Sequence, residues 1–368
     1  MPAEPKGKPV EQATVSEVPR LVAPSGSADR PYPPSWVDRL MAAVQRLPVP
    51  YGIAYLIFFL VEVAVMHAIG WLDGSLPPLK FDRLYLLFPL WLWAPLAIMT
   101  YLDEVALHAL RDFLPLLGKH EEEIPRLQYE LTTLPARSVW ISALVWTGVF
   151  ALLMYVGFPI VVREYSYGPL AIAAVWVLGL LTFLSGSIVY YHTIRQLRLV
   201  SRTIALVERV NLFQLDPIYA FARLTAQTGV SWLLLAGVTL IIFPFELINF
   251  TTVALYGMQV LFALGAFLLP LWKVHQRLVA EKRRLLGAVN RRVEAAIERL
   301  HQALDGDDLT RVKEIDTALA GLRTERGVLA DIPTWPWSIA TISGFVSALV
   351  LPIALFLIQL VIKNLLGV

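Results

Sequence analysis

Seven stretches of this sequence run for about 20 residues almost without charge, the length of helix that crosses the hydrocarbon core of a bilayer. They are residues 51–70, 84–102, 138–162, 169–191, 231–250, 253–271 and 338–362. None shows the short polar–apolar alternation of a membrane β-strand, so each reads as a helix. Hydrophobic residues make up 57% of the chain and charged residues only 16%, with a mean hydropathy of +0.61. That is too little charge to cover the surface of a soluble domain. The expected fold class is an all-α membrane protein with seven transmembrane helices.

The charges orient those helices. Links between spans one and two, three and four, and five and six are short, with little beyond Lys80, Arg83 and Arg163. The other links are long and basic. Arg111, Lys119, Arg126 and Arg137 lie in the first, Arg195, Arg198, Arg202, Arg209 and Arg223 in the second. Lys273, Arg277, Lys282, Arg283, Arg284, Arg291 and Arg292 open the third. Basic links stay cytoplasmic, so the N-terminus is expected inside and the C-terminus outside. The expected location is a cell membrane, plasma or inner.

The flanks divide the chain further. Residues 1–34 are rich in Pro, Ser, Ala and charge and are expected to be a disordered cytoplasmic tail. No basic stretch followed by an apolar core marks a cleaved signal peptide. Residues 35–50 form a short amphipathic helix with Ser35 as N-cap and Trp36, Leu40, Met41, Val44 and Leu47 at helical spacing. It either lies at the interface or packs on other cytoplasmic helices. Residues 51–250 hold spans one to five with helical links. After span four, Ile194, Leu197, Ile204 and Val207 keep helical spacing, and Asp216-Pro217 reads as an N-cap followed by a first-turn proline. Spans four and five therefore extend into the cytoplasm.

Residues 251–337 carry span six into a charged helix, then a turn at Asp305-Gly306-Asp307-Asp308, then a return helix over 309–331. Leu286, Val289, Val293, Ala296, Leu300 and Ala303 recur at spacings of three and four. Val312, Ile315, Leu319, Leu322 and Leu329 repeat much of the pattern, which is a coiled-coil-like seam. A kink is expected at Pro270. Four extended helices with apolar seams predict a compact cytoplasmic bundle that doubles as the subunit contact. Residues 338–368 form the final span.

Few residues suggest chemistry. Glu62 sits in the middle of span one, where an ionisable group costs roughly 2.5–3.5 kcal/mol to insert. It reads either as a proton or cation site, with His67 beyond it, or as a hydrogen bond to a neighbouring helix. Glu104, His108 and Asp112 share a helix face, followed by His120 and Glu121 to Glu123; metal binding or a solvated face both fit. Gly179, Ser185, Gly186 and Ser187 predict close helix packing. Aromatics gather towards the outer side. Trp146, Tyr155, Trp176, Phe245 and Tyr256 either belong to an interfacial belt or line an apolar ligand pocket, with Glu246 nearby. In the last span, Ser343 and Ser347 share one face, Gln359 and Lys363 another, with Pro352 between. Such residues line a pore if they face a symmetry axis; otherwise the serines bond their own helix and the lysine snorkels. There is no nucleophile elbow, H-E-x-x-H or phosphate loop. Cysteine is absent and the net charge is +2. No enzyme activity, metal, cofactor or nucleic-acid partner is expected.

The last span runs Pro352, Ile353, then the apolar Ala354 to Ile358, then Gln359 and Leu360. With seven spans, an internal N-terminus and cytoplasmic extensions on helices four to seven, it resembles the insect chemoreceptor superfamily of seven-helix ion channels, which includes odorant and gustatory receptors. The resemblance covers residues 51–368. That family often has Thr-Tyr, five apolar residues and Gln-Phe here; this chain matches the apolar run and Gln359. The resemblance implies a homotetrameric, cation-permeable channel open to gating by a small molecule, anchored by the cytoplasmic extensions. It also implies a seventh helix split into a cytoplasmic half, 309–331, and a pore-lining half, 338–362. The rival readings are a signal transducer with a cytoplasmic helical relay and a transporter. The chain ends without an output domain, and the halves show no clear inverted repeat.

Overall fold

The computed structural model of the chain describes residues 29–117, 122–165, 168–207, 212–213, 215–243 and 250–366. Within its helices the side chains of 153–154, 156–165, 250–252, 359–360, 362–364 and 366 are not among those described. Every regular element among the described residues is helical. They are α1 (Trp36–Gln45), α2 (Tyr51–Leu72), α3 (Leu87–Leu117, entered through a 3-10 turn at Arg83–Leu86), α4 (Ile124–Thr132) and α5 (Ala136–Tyr165). The rest are α6 (Pro169–Ala205), α7 (Asp216–Ile242), α8 (Phe250–Asp305), α9 (Leu309–Asp331) and α10 (Ile339–Leu366). Six helices, α2, α3, α6, α7, α8 and α10, are long and apolar enough to cross a bilayer; the described apolar part of α5, Ala136–Leu152, is shorter. The chain is a multi-pass membrane protein.

Local chemistry explains the ends. Ser35 caps α1 in a reciprocal box: its Oγ accepts from the Asp38 N–H, and Asp38 Oδ2 accepts from the Ser35 N–H at 2.7 Å. Asp38 also accepts from the Leu134 N–H at 3.2 Å. Burial pushes the Asp38 carboxyl up from its ordinary value, against the Ser35 and Leu134 hydrogen bonds that hold it down. Val37, Met41 and Val44 are buried in the main core. Of the two readings open for this helix, the packed one describes it. Ser35 is itself fully buried, so Ser35→Ala removes the cap and leaves the Asp38 oxygens one donor short. A loss of about 1–2 kcal/mol is expected, to be read from thermal unfolding in detergent. An unchanged midpoint would mean that α1 is not held this way.

Two sequence expectations shift by small amounts. Asp216 is not the N-cap of α7. Leu215 occupies that position, with Asp216 and Pro217 in the first turn, where a carboxylate suits the helix dipole. Span five stops at Ile242 instead of 250, because Phe243 precedes Pro244 and is extended, with φ −64° and ψ 130°. A third expectation fails at its boundary. Residues 1–28 of the proposed disordered tail lie outside the described residues, but Tyr32 and Pro34 do not. Pro34 bridges Pro135, and Tyr32 is held by Arg195, Thr133 and Tyr129. Three side-chain anchors offset the ordering entropy that composition alone could not.

α8 runs 56 residues without interruption through Pro270, about 84 Å at 1.5 Å per residue. The turn after it uses Asp307 at φ 51° and Asp308 as N-cap, its side chain accepting from the Arg311 N–H. α9 then packs back chiefly on α8. Val289, Ala303, Leu319 and Leu329 are buried along this contact, so the seam closes within one chain. Arg326 Nε donates to Asn290 Oδ1 at 3.2 Å, and Arg292 meets Glu325 at 3.7 Å.

The C-terminal end of α6 and the N-terminal end of α7 are covered differently. Leu110, Phe113, Val200, Ile204, Phe221 and Leu224 form one core with α1 and α4. Phe113 and Phe221 meet edge to face at 4.7 Å. The base of α8 joins this core through Leu271, Val274 and Leu278, with Leu285 and Ile332 packed against it, and Arg277 donates to the Val207 carbonyl at 3.2 Å; beyond that level α8 and α9 continue as a two-helix rod. The sequence showed apolar faces but not which face meets which.

Candidate functional site

The densest polar chemistry lies where α3 and α6 leave their apolar runs. Asp103 and His192 each follow the last residue assigned to spans two and four. His192 Nε2 lies 2.8 Å from Asp103 Oδ1. Gln196, one turn beyond His192, donates to Asp103 Oδ1 at 3.3 Å and to the Leu131 carbonyl at 3.3 Å. His192 is 2% exposed and Gln196 1%. His192 Nδ1 and Gln196 Oε1 are buried with no hydrogen-bond partner. Trp232 Nε1 donates to Thr193 Oγ1 at 3.0 Å, and Tyr55 and Thr100 share a hydrogen bond at 3.1 Å. The layer thus ties α2, α3, α4, α6 and α7 together.

Arg195 turns the other way and holds the entry segment. Its guanidinium donates to the Glu130 carbonyl and to the Tyr32 hydroxyl, and stands 5.3 Å from the Tyr32 ring centre. Tyr32 donates to the Thr133 carbonyl at 3.0 Å, and Tyr129 donates to the Tyr32 carbonyl at 2.7 Å. Burial raises the Tyr32 phenol well above its ordinary value, so it stays a donor. Sequence reading missed this layer because it treated both polar runs as the ends of spans. Its faint signal was a carboxylate and an imidazole that each immediately follow an apolar run.

Glu62 is engaged as the hydrogen-bonding reading required. Trp93 Nε1 on α3 donates to Glu62 Oε2 at 2.6 Å, while Oε1 is buried without a partner. His67 is not its companion. The Asp82 N–H donates to His67 Nε2 at 3.2 Å, Nδ1 faces the Val63 carbonyl at 2.8 Å, and the ring stacks on Phe81 at 4.8 Å. His67 fixes the link between α2 and α3.

Glu104 and Asp112 stand on an exposed face of α3. Glu104 accepts from Tyr51 at 3.0 Å and His108 Nδ1 lies 3.5 Å from Arg111. Among the described residues no three potential ligands converge on a metal position; His120 and Glu121 lie outside them. Close packing at the small residues of α6 is present. Ser185 donates to the Leu92 carbonyl at 2.7 Å, and a Cβ on Gly179 would meet Phe150 at 2.7 Å.

The described members of the aromatic set pack in rows. Trp146 stacks on Tyr190 at 5.6 Å, and Tyr190 continues to Trp232 and Phe262. Trp176 meets Phe150 edge to face at 5.7 Å. Tyr155 is 83% exposed and points away from this row. Tyr256 is half-buried on α8, and Phe245 and Glu246 lie outside the described residues. Trp146 and Trp176 thus pack between α5 and α6.

On α10, Phe345 and Pro352 are buried against α7 and α8. Phe345 stacks on Phe267 at 4.2 Å, and Pro352 lies over Gly237. Ser343 and Ser347 fall on the opposite, exposed side, and Ser343 Oγ donates to the Ala340 carbonyl at 3.0 Å. Gln359 and Lys363 lie on α10 with side chains outside those described. No protein-family model, curated protein or solved structure matches the chain.

Proposed function

We propose that the chain is an oligomeric ion channel, cation-permeable and open to small-molecule gating, with α10 lining the pore. In this reading α2, α3, α5, α6, α7, α8 and α10 all cross the bilayer. The basic links face the cytoplasm, the N-terminus is inside and the C-terminus outside, in a plasma or inner cell membrane.

One observation carries the reading. Only 11% of the apolar window of α10 is buried inside the chain, against 50% for α7, and the hydroxyls of Ser343 and Ser347 are on the side turned away from its own subunit. Around a symmetry axis those hydroxyls face water and passing ions. The α8–α9 seam pairs within one chain, and copies would join through the apolar residues the rod leaves exposed, among them Ile297, Leu304, Leu309 and Val328. A homotetramer is the expected assembly.

Planar-bilayer recording of the purified chain tests this directly. Discrete unitary currents are expected, and Ser347→Trp should reduce conductance at least several-fold by narrowing the axis. A silent protein, or currents indifferent to the substitution at 347, would remove α10 from the pore. A monomeric mass in mild detergent would count against the channel altogether.

A further inference from the structure

α6 and α8 touch at two levels and part in between. Above, Phe262 meets Tyr190 edge to face at 5.0 Å. Below, Ser201 Oγ donates to the Pro270 carbonyl at 3.2 Å. The gap is a cavity of about 440 Å³, walled on α6 by Ile194, Leu197, Arg198 and Ser201 and on α8 by Leu261, Gly265, Ala266 and Leu269. It exists because α8 presents small residues there. A Cβ built on Gly265 would meet only Leu269 Cδ1 of its own helix, at 3.6 Å. The flanking Leu261 and Leu269 are 69% and 73% exposed, so the groove opens sideways to the bilayer.

Its two ends differ in chemistry. The upper part is apolar. At the lower end Arg198 is the one charged residue in the lining. Arg202 follows it by a turn on α6, and Lys273 follows Leu269 by a turn on α8; both are exposed. Among the described residues no carboxylate lines the groove. Trp272, half-exposed beside Trp335, places this end at the level where interfacial aromatics sit. A cavity of this size is in the ~300–1,000 Å³ range of small-ligand sites.

We propose that this groove holds an anionic phospholipid from the leaflet on the basic side of the chain. One acyl chain lies between α6 and α8, and the phosphate is bound by Arg198 with Arg202 and Lys273 around it. Apolar walls that end in a cluster of cations match a lipid end to end: desolvated methylenes above, charge-assisted hydrogen bonds to phosphate oxygens below. Basic pockets between membrane helices select anionic headgroups on the same principle. The site is independent of conduction and stands whether or not α10 lines a pore.

The full chain, reconstituted in phosphatidylcholine vesicles with a trace of phosphatidylglycerol bearing a photoactivatable acyl chain, tests the proposal. Adducts are expected to concentrate on residues 194–201 and 261–270. Gly265→Phe, which fills the groove, should lower them about tenfold, a change worth about 1.4 kcal/mol of affinity. Arg198→Gln, at an exposed position that leaves packing alone, should lower adducts from the anionic probe but not from a phosphatidylcholine probe with the same chain. Adducts spread evenly over α2 and α10 would overturn the proposal. So would equal loss with both probes, or cross-links at 261–270 that join a second copy instead of lipid.

Discussion

Replacing His192 with leucine is expected to lower the stability of the folded chain by about 3 kcal/mol, because it leaves Asp103 buried with Gln196 as its one remaining side-chain partner. The loss should appear as an earlier unfolding midpoint in detergent, followed by tryptophan fluorescence. Asp103→Val should cost a comparable amount, since it strips His192 of the one side-chain partner it has and leaves both ring nitrogens unsatisfied. The double substitution should recover more than half of the summed loss. Removing both polar partners together abolishes the orphaned group that makes each single change expensive. The interaction term of this double-mutant cycle is therefore expected to be large, of the order of 2 kcal/mol. Strict additivity would mean that the two groups do not act as a pair in the membrane. Gln196 keeps its Leu131 carbonyl partner in all three variants, but it loses its Asp103 contact wherever Asp103 is replaced, so the cycle reads the His192–Asp103 contact against that shared loss.

A second large effect is expected at the seat of α10. A Cβ at Gly229 would lie 2.6 Å from Phe345 Cε2 and 3.0 Å from the Ala263 carbonyl oxygen. At Gly237 it would lie 2.5 Å from Pro352 Cγ. A carbonyl oxygen and a proline ring cannot swing aside as a long side chain can. Gly229→Leu and Gly237→Leu should each cost about 1–3 kcal/mol of overpacking, and together they should unseat α10 from α7. The chain has no cysteine, so a single Ala348→Cys on the packed side of α10 reports on the seat without background. Its maleimide reactivity in detergent should rise more than tenfold in the doubly substituted chain, a population shift of about 1.4 kcal/mol. If reactivity stays at the parent level, α10 is held by contacts other than these two.

These two contacts show how unevenly the sequence carries the fold. Helix ends were legible. Ser35 reads as the N-cap of α1, and the acidic turn at 305–308 divides α8 from α9. Each of these acts within a few residues of itself. The Asp103–His192 pair spans 89 residues and Trp93–Glu62 spans 31, and nothing near either residue names its partner. Even Glu62 was visible only as an expensive residue, not as one with a named donor. The aromatic set around Trp146 was grouped by depth, and depth is all that composition reports. The rows that form across α5, α6 and α7 depend on which way each helix is turned.

The amino-acid order by itself determined that this chain is helical and multi-pass, where most helices begin and end, and that α8 and α9 share an apolar seam outside the bilayer. Tertiary structure alone decided which faces meet: α10 on α7 through two glycines, α6 parted from α8 at Gly265, and one polar layer closed around His192. The physical reason is that lipid tails and protein interiors are almost equally apolar. In water a helix shows its buried face by contrast with its wet one. In a bilayer that contrast disappears, and what selects the contact is close fit and the pairing of a few polar atoms.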